Sequence, residues 1–132
     1  MSKVIMITGC LGFIGSYVTR ICLKQGWYIR GIDKISYAAD PNLLKEFQQY
    51  DNFIFEKLDI NDLPFLHDCD YVINCAASTH VANSIISSKE FMHDNVNGVV
   101  RVLECLRNYF YEQPPTLIHF STDEVYGDIE NG

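Results

Sequence analysis

The run Thr8-Gly9-Cys10-Leu11-Gly12-Phe13-Ile14-Gly15-Ser16 follows directly on the short apolar stretch Val4 to Ile7. Three glycines spaced three apart suit neither a plain helix nor a plain strand. Glycine is needed where a turn takes positive φ, where backbone must approach another group closely, and where a helix packs tightly on a strand. After the glycines, Ile14, Val18, Ile21 and Cys22 recur at helical spacing, and Gly26 stands where a left-handed cap is wanted. The region therefore reads as strand, turn and helix. Such a turn brings free backbone amides and the positive end of a helix dipole to one point, which suits an anionic phosphate without any lysine.

The same alternation continues along the chain. Tyr28 to Ile32, Phe53 to Leu58, Tyr71 to Cys75 and Leu117 to Phe120 are four further strand candidates. Met92, Val96, Val99, Leu103, Leu106 and Phe110 lie on one stripe of a helix from about Lys89 to Tyr109, with Ser87 and Glu90 as its capping box and Pro114-Pro115 ending the helical region. Strands alternating with helices imply an α/β, doubly wound parallel sheet, the Rossmann fold, with strand order 3-2-1-4-5. Asp33 ends the second strand, about twenty residues on from the glycines, where an acid bonds adenosine ribose hydroxyls and disfavours a 2′-phosphate. NAD is the expected cofactor. Lys34 beside it leaves NADP open.

Composition narrows the partners. Ten basic against seventeen acidic side chains give a net charge of −7, which repels nucleic acid and anionic membrane surfaces. The five cysteines, Cys10, Cys22, Cys69, Cys75 and Cys105, form no Cys-x-x-Cys pair and read as reduced packing thiols of a cytoplasmic protein. His67, His93 and His119 are scattered and suggest no metal site. Met1-Ser2-Lys3 precedes only four apolar residues, too few for a leader or a membrane span. No linker or repeat divides the chain, so residues 1–132 are expected to form one cofactor-binding domain.

The glycine run with Phe13-Ile14, then Asp33-Lys34-Ile35-Ser36-Tyr37-Ala38, Asp59-Ile60 and Cys75-Ala76-Ala77, resembles the extended short-chain dehydrogenase/reductase family. The run Ser121-Thr122-Asp123-Glu124-Val125-Tyr126-Gly127-Asp128 is more specific and is similar to the dTDP-glucose 4,6-dehydratase branch. The resemblance implies a nucleotide-sugar substrate and often a homodimer built through helices such as that at Lys89 to Tyr109. It also implies that Gly9, Gly12, Phe13, Ile14, Gly15, Asp33 and Lys34 hold NAD, that Asp59 and Ile60 border its adenine, that Ala76 and Ala77 line it, and that Asn95 supports the active site. Read without the resemblance, Asp59 is a helix cap, Ala76 and Ala77 are packed residues, and Asn95 is solvated.

In a doubly wound sheet ligands bind beyond the carboxyl ends of the strands, which places Thr122, Asp123 and Glu124 at the reacting centre. Eliminating water across two sugar carbons needs one group to take a carbon-bound proton and another to protonate the departing hydroxyl. Two carboxyl groups divide that work when burial raises one pKa. In the family's mechanism hydride leaves carbon 4 for NAD, Glu124 takes the carbon 5 proton, Asp123 protonates the carbon 6 hydroxyl, hydride returns to carbon 6, and Thr122 bonds the carbon 4 oxygen. The plain reading of the pair is a turn acid and a solvated acid. Epimerase relatives usually carry small hydroxyl residues at the two acid positions, which favours dehydration, while an epimerase, a decarboxylase or a short non-catalytic NAD-binding protein are the alternatives.

Two departures from the pattern stand out. None of the eight tyrosines has lysine four residues on, so the family's Tyr-x-x-x-Lys motif, the rest of the sheet and the substrate domain are expected beyond Gly132, and the chain alone is expected to be inactive. At His80-Val81-Ala82-Asn83-Ser84 the dehydratases usually carry an acid and an arginine in place of Ala82 and Asn83.

Overall fold

The first apolar run pairs on both of its edges. In the computed structural model, which describes residues 2–79, 85 and 87–128, five parallel strands form one sheet: β1 (Val4–Thr8), β2 (Tyr28–Asp33), β3 (Phe53–Lys57), β4 (Tyr71–Asn74) and β5 (Thr116–His119). Their order is β3-β2-β1-β4-β5, the order expected for a doubly wound fold. Ile5 of β1 registers with Ile29 of β2 on one side and Tyr71 of β4 on the other, so the sheet grows in both directions from β1. The crevice beyond Thr8 is therefore the topological switch point.

The pleat of β1 divides the core between the two faces of the sheet. Ile5 and Ile7 join Cys22 and Leu23 of α1 (Phe13–Lys24) and Phe47 of α2 (Pro41–Phe47). Met6, between them, points the other way, to Ile60, Val72, Val102 and Cys105. Each buried aliphatic side chain contributes about 1.5–3 kcal/mol from leaving water. Cys10, Cys22 and Cys105 are buried free thiols that belong to these layers. Gly26, with φ 74, follows α1 as the cap expected there.

Two helices turn a different face inward from the one their apolar spacing suggests. In α1 the buried residues are Gly15, Ser16, Thr19, Cys22 and Leu23, whereas Ile14 and Ile21 are exposed. The predicted helix from Lys89 to Tyr109 is built as α3 (Ser88–Met92), a π-helical stretch over His93–Asn97, and α4 (Gly98–Arg107). It buries Asp94, Gly98, Val102 and Cys105, while Met92, Val96, Val100 and Leu103 face outward. The wide π turn resets the phase of the helix, so spacing counted across it fails. Small residues take the inner face because Gly98 lies against Ile60, whose side-chain tip would meet any Cβ at that position. The Ser87 side chain makes no capping bond, so the expected capping box is not formed, and α4 ends at Arg107, seven residues ahead of Pro114. Among the described residues no helix is long and apolar enough to cross a membrane. The segment His80 to Ser84 lies outside the described residues.

Candidate functional site

The three glycines meet unequal demands. Gly9 takes φ 65, and a Cβ there would lie 2.8 Å from the Ala76 amide nitrogen beyond β4. Gly15 sits beneath it, where a Cβ would collide with the Gly9 carbonyl. Gly12 has φ −79, and the nearest atom that a Cβ there would meet is the Gly9 carbonyl oxygen at 3.3 Å. Folding thus accounts for Gly9 and Gly15 but only weakly for Gly12. Bare backbone at Gly12 is what close approach by a ligand requires. No side chain caps α1, which leaves the amides at its start for an anion.

Asp33 ends β2 with its carboxylate nearly buried, 8% exposed. Its Oδ2 accepts from the Leu11 amide at 3.0 Å and its Oδ1 from the Ile35 amide at 2.8 Å. The first bond ties the acid to the glycine turn, and a carboxylate so held keeps further lone pairs for hydroxyl donors. Ile35 carries φ 58, a left-handed conformation that costs a β-branched residue about 1–3 kcal/mol, so the turn beside Asp33 is strained.

Lys34 turns to two carboxylates, Asp94 Oδ1 at 2.6 Å and Asp59 Oδ2 at 3.3 Å. Partial burial works against its charge, but the bond and charge of Asp94, then of Asp59, outweigh it and hold the ammonium above the ordinary lysine range. Asp59 caps the short 3-10 turn Ile60–Asp62, accepting from the Asn61 amide at 2.9 Å and from Asn61 Nδ2 at 2.8 Å. Burial alone would raise its pKa; the bonds from Asn61 and the charge of Lys34 bring it below the usual range instead. The capping reading of Asp59 therefore holds alongside its place in the site. Asn95 is not a solvated side chain: its Oδ1 accepts from the Ser78 amide at 2.7 Å and its Nδ2 donates to the Ser78 carbonyl at 2.9 Å. Asp94 Oδ2 accepts from Ser78 Oγ at 2.5 Å, so the loop after β4 is clamped to the π-helical stretch by three bonds.

These groups line one cleft of about 540 Å³, including space open to solvent. Of the predicted residues, Gly9, Gly12, Asp33, Lys34, Asp59, Ile60, Ala76 and Ala77 border it. Gly15 is buried behind the turn, the Phe13 and Ile14 side chains are exposed at the start of α1, and Asn95 reaches the site through Ser78. Ser36, Ala38 and Cys75, which lie within the motifs quoted above, also line it, as do Ala39, Leu58 and Asp94, which the sequence pattern does not announce. Burial pushes the Cys75 thiol up to about 11, so it faces the cleft as a neutral group. Asp59, His93 and Asp94 bring ligand-type atoms within 4.8 Å of one another, a grouping that counting histidines and cysteines misses; Lys34 already supplies positive charge to both carboxylates. A polar chain crosses the sheet below the cleft, from buried Thr8 and Asn74 to exposed His119. Thr8 Oγ1 donates to Asn74 Oδ1 at 2.5 Å, and Asn74 Nδ2 lies 3.0 Å from His119 Nδ1.

Thr122, Asp123 and Glu124 follow β5 as expected and form a 3-10 turn, Asp123–Tyr126, in which Thr122 Oγ1 accepts from the Glu124 amide at 3.3 Å. All three are exposed, and they do not border the cleft around Asp33. The burial that would separate the roles of the two acids is not provided by the described residues.

The GDP-mannose 4,6 dehydratase family model matches residues 6–132. A dTDP-glucose 4,6-dehydratase of Haemophilus influenzae is 36% identical across 95% of the chain and 41% of its own length. A dTDP-glucose 4,6-dehydratase of Streptomyces venezuelae, solved with NAD bound, superposes with a TM-score of 0.86 at 30% identity over 98% of this chain and 42% of that one. A UDP-N-acetylglucosamine 4-epimerase of Methanobrevibacter ruminantium gives 0.84 at 26% identity over 98% of this chain and 41% of that one. The chain thus spans about two-fifths of the length of the relatives it matches. With 127 of its 132 residues under the family model, on a sheet whose order and switch-point cleft agree with it, the chain belongs to the GDP-mannose 4,6 dehydratase family.

Proposed function

We propose that this chain is the NAD-binding part of an enzyme that dehydrates a nucleoside-diphosphate hexose to its 4-keto-6-deoxy sugar, a cytoplasmic lyase of nucleotide-sugar metabolism. The observation that carries the reading is the switch-point cleft, where the glycine turn, the open start of α1 and Asp33 converge. Relatives named dTDP-glucose 4,6-dehydratase support the substrate class. In this reading residues 1–132 form the cofactor domain, and the substrate domain belongs to another part of the complete enzyme. β5 is largely exposed on both faces, which suits a strand covered by further structure. The outward stripe of Met92, Val96, Val100 and Leu103 supports a homodimer.

The residues present fit a dinucleotide. Gly9 and Gly12, with the Phe13 and Ile14 amides, receive the pyrophosphate, Gly15 serves NAD by letting the start of α1 pack against the turn, and Asp33 accepts from the ribose hydroxyls. Asp59 and Ile60 border the adenine, Ala76 and Ala77 line the path toward the nicotinamide, and Asn95 positions that loop through Ser78. Bound NAD supplies a hydride acceptor and donor. Thr122 hydrogen-bonds the carbon 4 oxygen, Glu124 takes the carbon 5 proton once carbon 4 is a ketone, and Asp123 protonates the departing carbon 6 hydroxyl. This acid pair favours dehydration over epimerisation.

The test uses the complete enzyme that carries this sequence. Asp123→Asn and Glu124→Gln are expected to keep NAD binding and slow dehydration by roughly a hundredfold or more, the usual worth of a general acid or base. Product analysis should then find a 4-keto sugar that retains its carbon 6 hydroxyl. Parent-rate dehydration in both variants overturns the roles given to the acid pair, and a parent enzyme that inverts carbon 4 without losing water overturns the assignment in favour of an epimerase.

A further inference from the structure

Lys34 stands where a cation could meet a 2′-phosphate. It immediately follows the acid that ends β2, and it lines the cleft. In this fold class a basic side chain near that acid is what accommodates the extra phosphate of NADP. Taken alone, the residue type weakens the preference that Asp33 creates.

Its surroundings reverse that expectation. An ammonium has three donors; that of Lys34 bonds Asp94 at 2.6 Å and pairs with Asp59 at 3.3 Å, so both carboxylates anchor it. Asp94 is 6% exposed, and its other oxygen is held by Ser78 Oγ at 2.5 Å, so it cannot turn away without loosening the loop after β4. Withdrawing Lys34 toward a ligand would leave a buried carboxylate without its cation, which is strongly unfavourable. Two carboxylates against one ammonium also leave net negative charge at the rim, and a 2′-phosphate adds about two more. We propose that Asp94, assisted by Asp59, is a specificity-determining residue that withholds Lys34 from the 2′-phosphate and makes the cleft selective for NAD over NADP. The proposal rests on the NAD-binding reading above and adds a second determinant to Asp33.

Calorimetric titration with NAD and NADP, on the complete enzyme that carries this sequence and on its Asp94→Asn, Lys34→Met and double variants, tests it. Asp94→Asn keeps the shape of the side chain and removes its charge. It is expected to raise NADP affinity relative to NAD by roughly tenfold, the effect of one charge-assisted bond to phosphate. Lys34→Met alone, which leaves the rim more negative, should not raise that ratio, and in the double variant the gain should vanish. An unchanged ratio in Asp94→Asn, or a gain that survives loss of Lys34, overturns the proposal. A complete enzyme that binds neither dinucleotide overturns the cofactor reading itself. If Asp94→Asn does not fold, nuclear magnetic resonance on the parent reads the pairing directly. A slowly exchanging ammonium signal that is lost in Lys34→Arg supports it, and a Lys34 ammonium in fast exchange with water overturns it.

Discussion

Gly12 and Gly15 separate what a glycine does for the fold from what it does for a ligand. At Gly15 any side chain meets the Gly9 carbonyl, so Gly15→Val is expected to unfold the turn and lower the melting temperature by roughly ten degrees or more, on the order of 3 kcal/mol. At Gly12 the backbone is ordinary and a Cβ would press on the Gly9 carbonyl oxygen at 3.3 Å, a contact that a shift of a few tenths of an ångström relieves, so Gly12→Val should cost about 1 kcal/mol as a poorer helix cap yet abolish NAD binding. Thermal melts and titration of the two variants check this. Retained affinity in a folded Gly12→Val chain would mean that the glycine only shapes the turn. Asp33 was legible because a strand end followed by a turn fixes the direction of its side chain. Asp94 was not, because its inward direction depends on helix phase, and nothing in the residues from Phe91 to Val96 announces the π turn that sets it.

The π-helical stretch also explains why strands were easier to read than helix faces. Alternation along a strand is local, and the pleat of β1 sorts Ile5, Met6 and Ile7 to opposite layers as the sequence leads one to expect. A helix stripe adds up over several turns, so one widened turn moves the predicted row of Met92, Val96 and Leu103 to the outside. What reveals the true inner face is residue size: Gly98 and Cys105 leave room for the turn that carries Ile60 at the mouth of the cleft. Gly98→Val is expected to destabilise the chain by about 1–3 kcal/mol through overpacking against Ile60. Pairing it with Ile60→Val should recover part of that loss, and denaturant melts of the single and double variants measure the coupling. Strict additivity would show that the helix simply shifts away from Ile60. In the same way the segment Ser121 to Asp128 carries the resemblance, but the exposure of Asp123 and Glu124 depends on structure that no local pattern in these residues specifies.

Over the whole molecule, charge and buried thiols set opposite limits on stability. Three carboxylates that join separate elements are held below their usual range: Glu46 by its bond to Arg20, Asp70 by the Val4 amide, and Asp59 by Asn61 and Lys34 against the opposing effect of burial. A group whose folded pKa lies below its unfolded value stabilises fully above that unfolded value, about 3.9 for Asp and 4.3 for Glu, and loses the contribution as pH falls through the folded value. Stability should therefore decline below about pH 5. At the other limit, burial first and then Asp68 and Asp70 push the Cys69 thiol up to about 11, and burial pushes Cys75 to about 11. Unfolded thiols ionise near 8.5, so the folded state binds more protons than the unfolded one from about pH 8.5 to about 11 and loses stability as pH rises through that window. Denaturant melts under reducing conditions should trace a plateau between about pH 5 and 8, with both limbs falling away. Cys69→Ala is expected to flatten the alkaline limb and leave the acid limb in place, while Asp59→Asn should do the reverse. An alkaline limb that is identical in Cys69→Ala would mean that this thiol ionises as readily in the folded chain as in the unfolded one, and that the layer beneath β4 admits water.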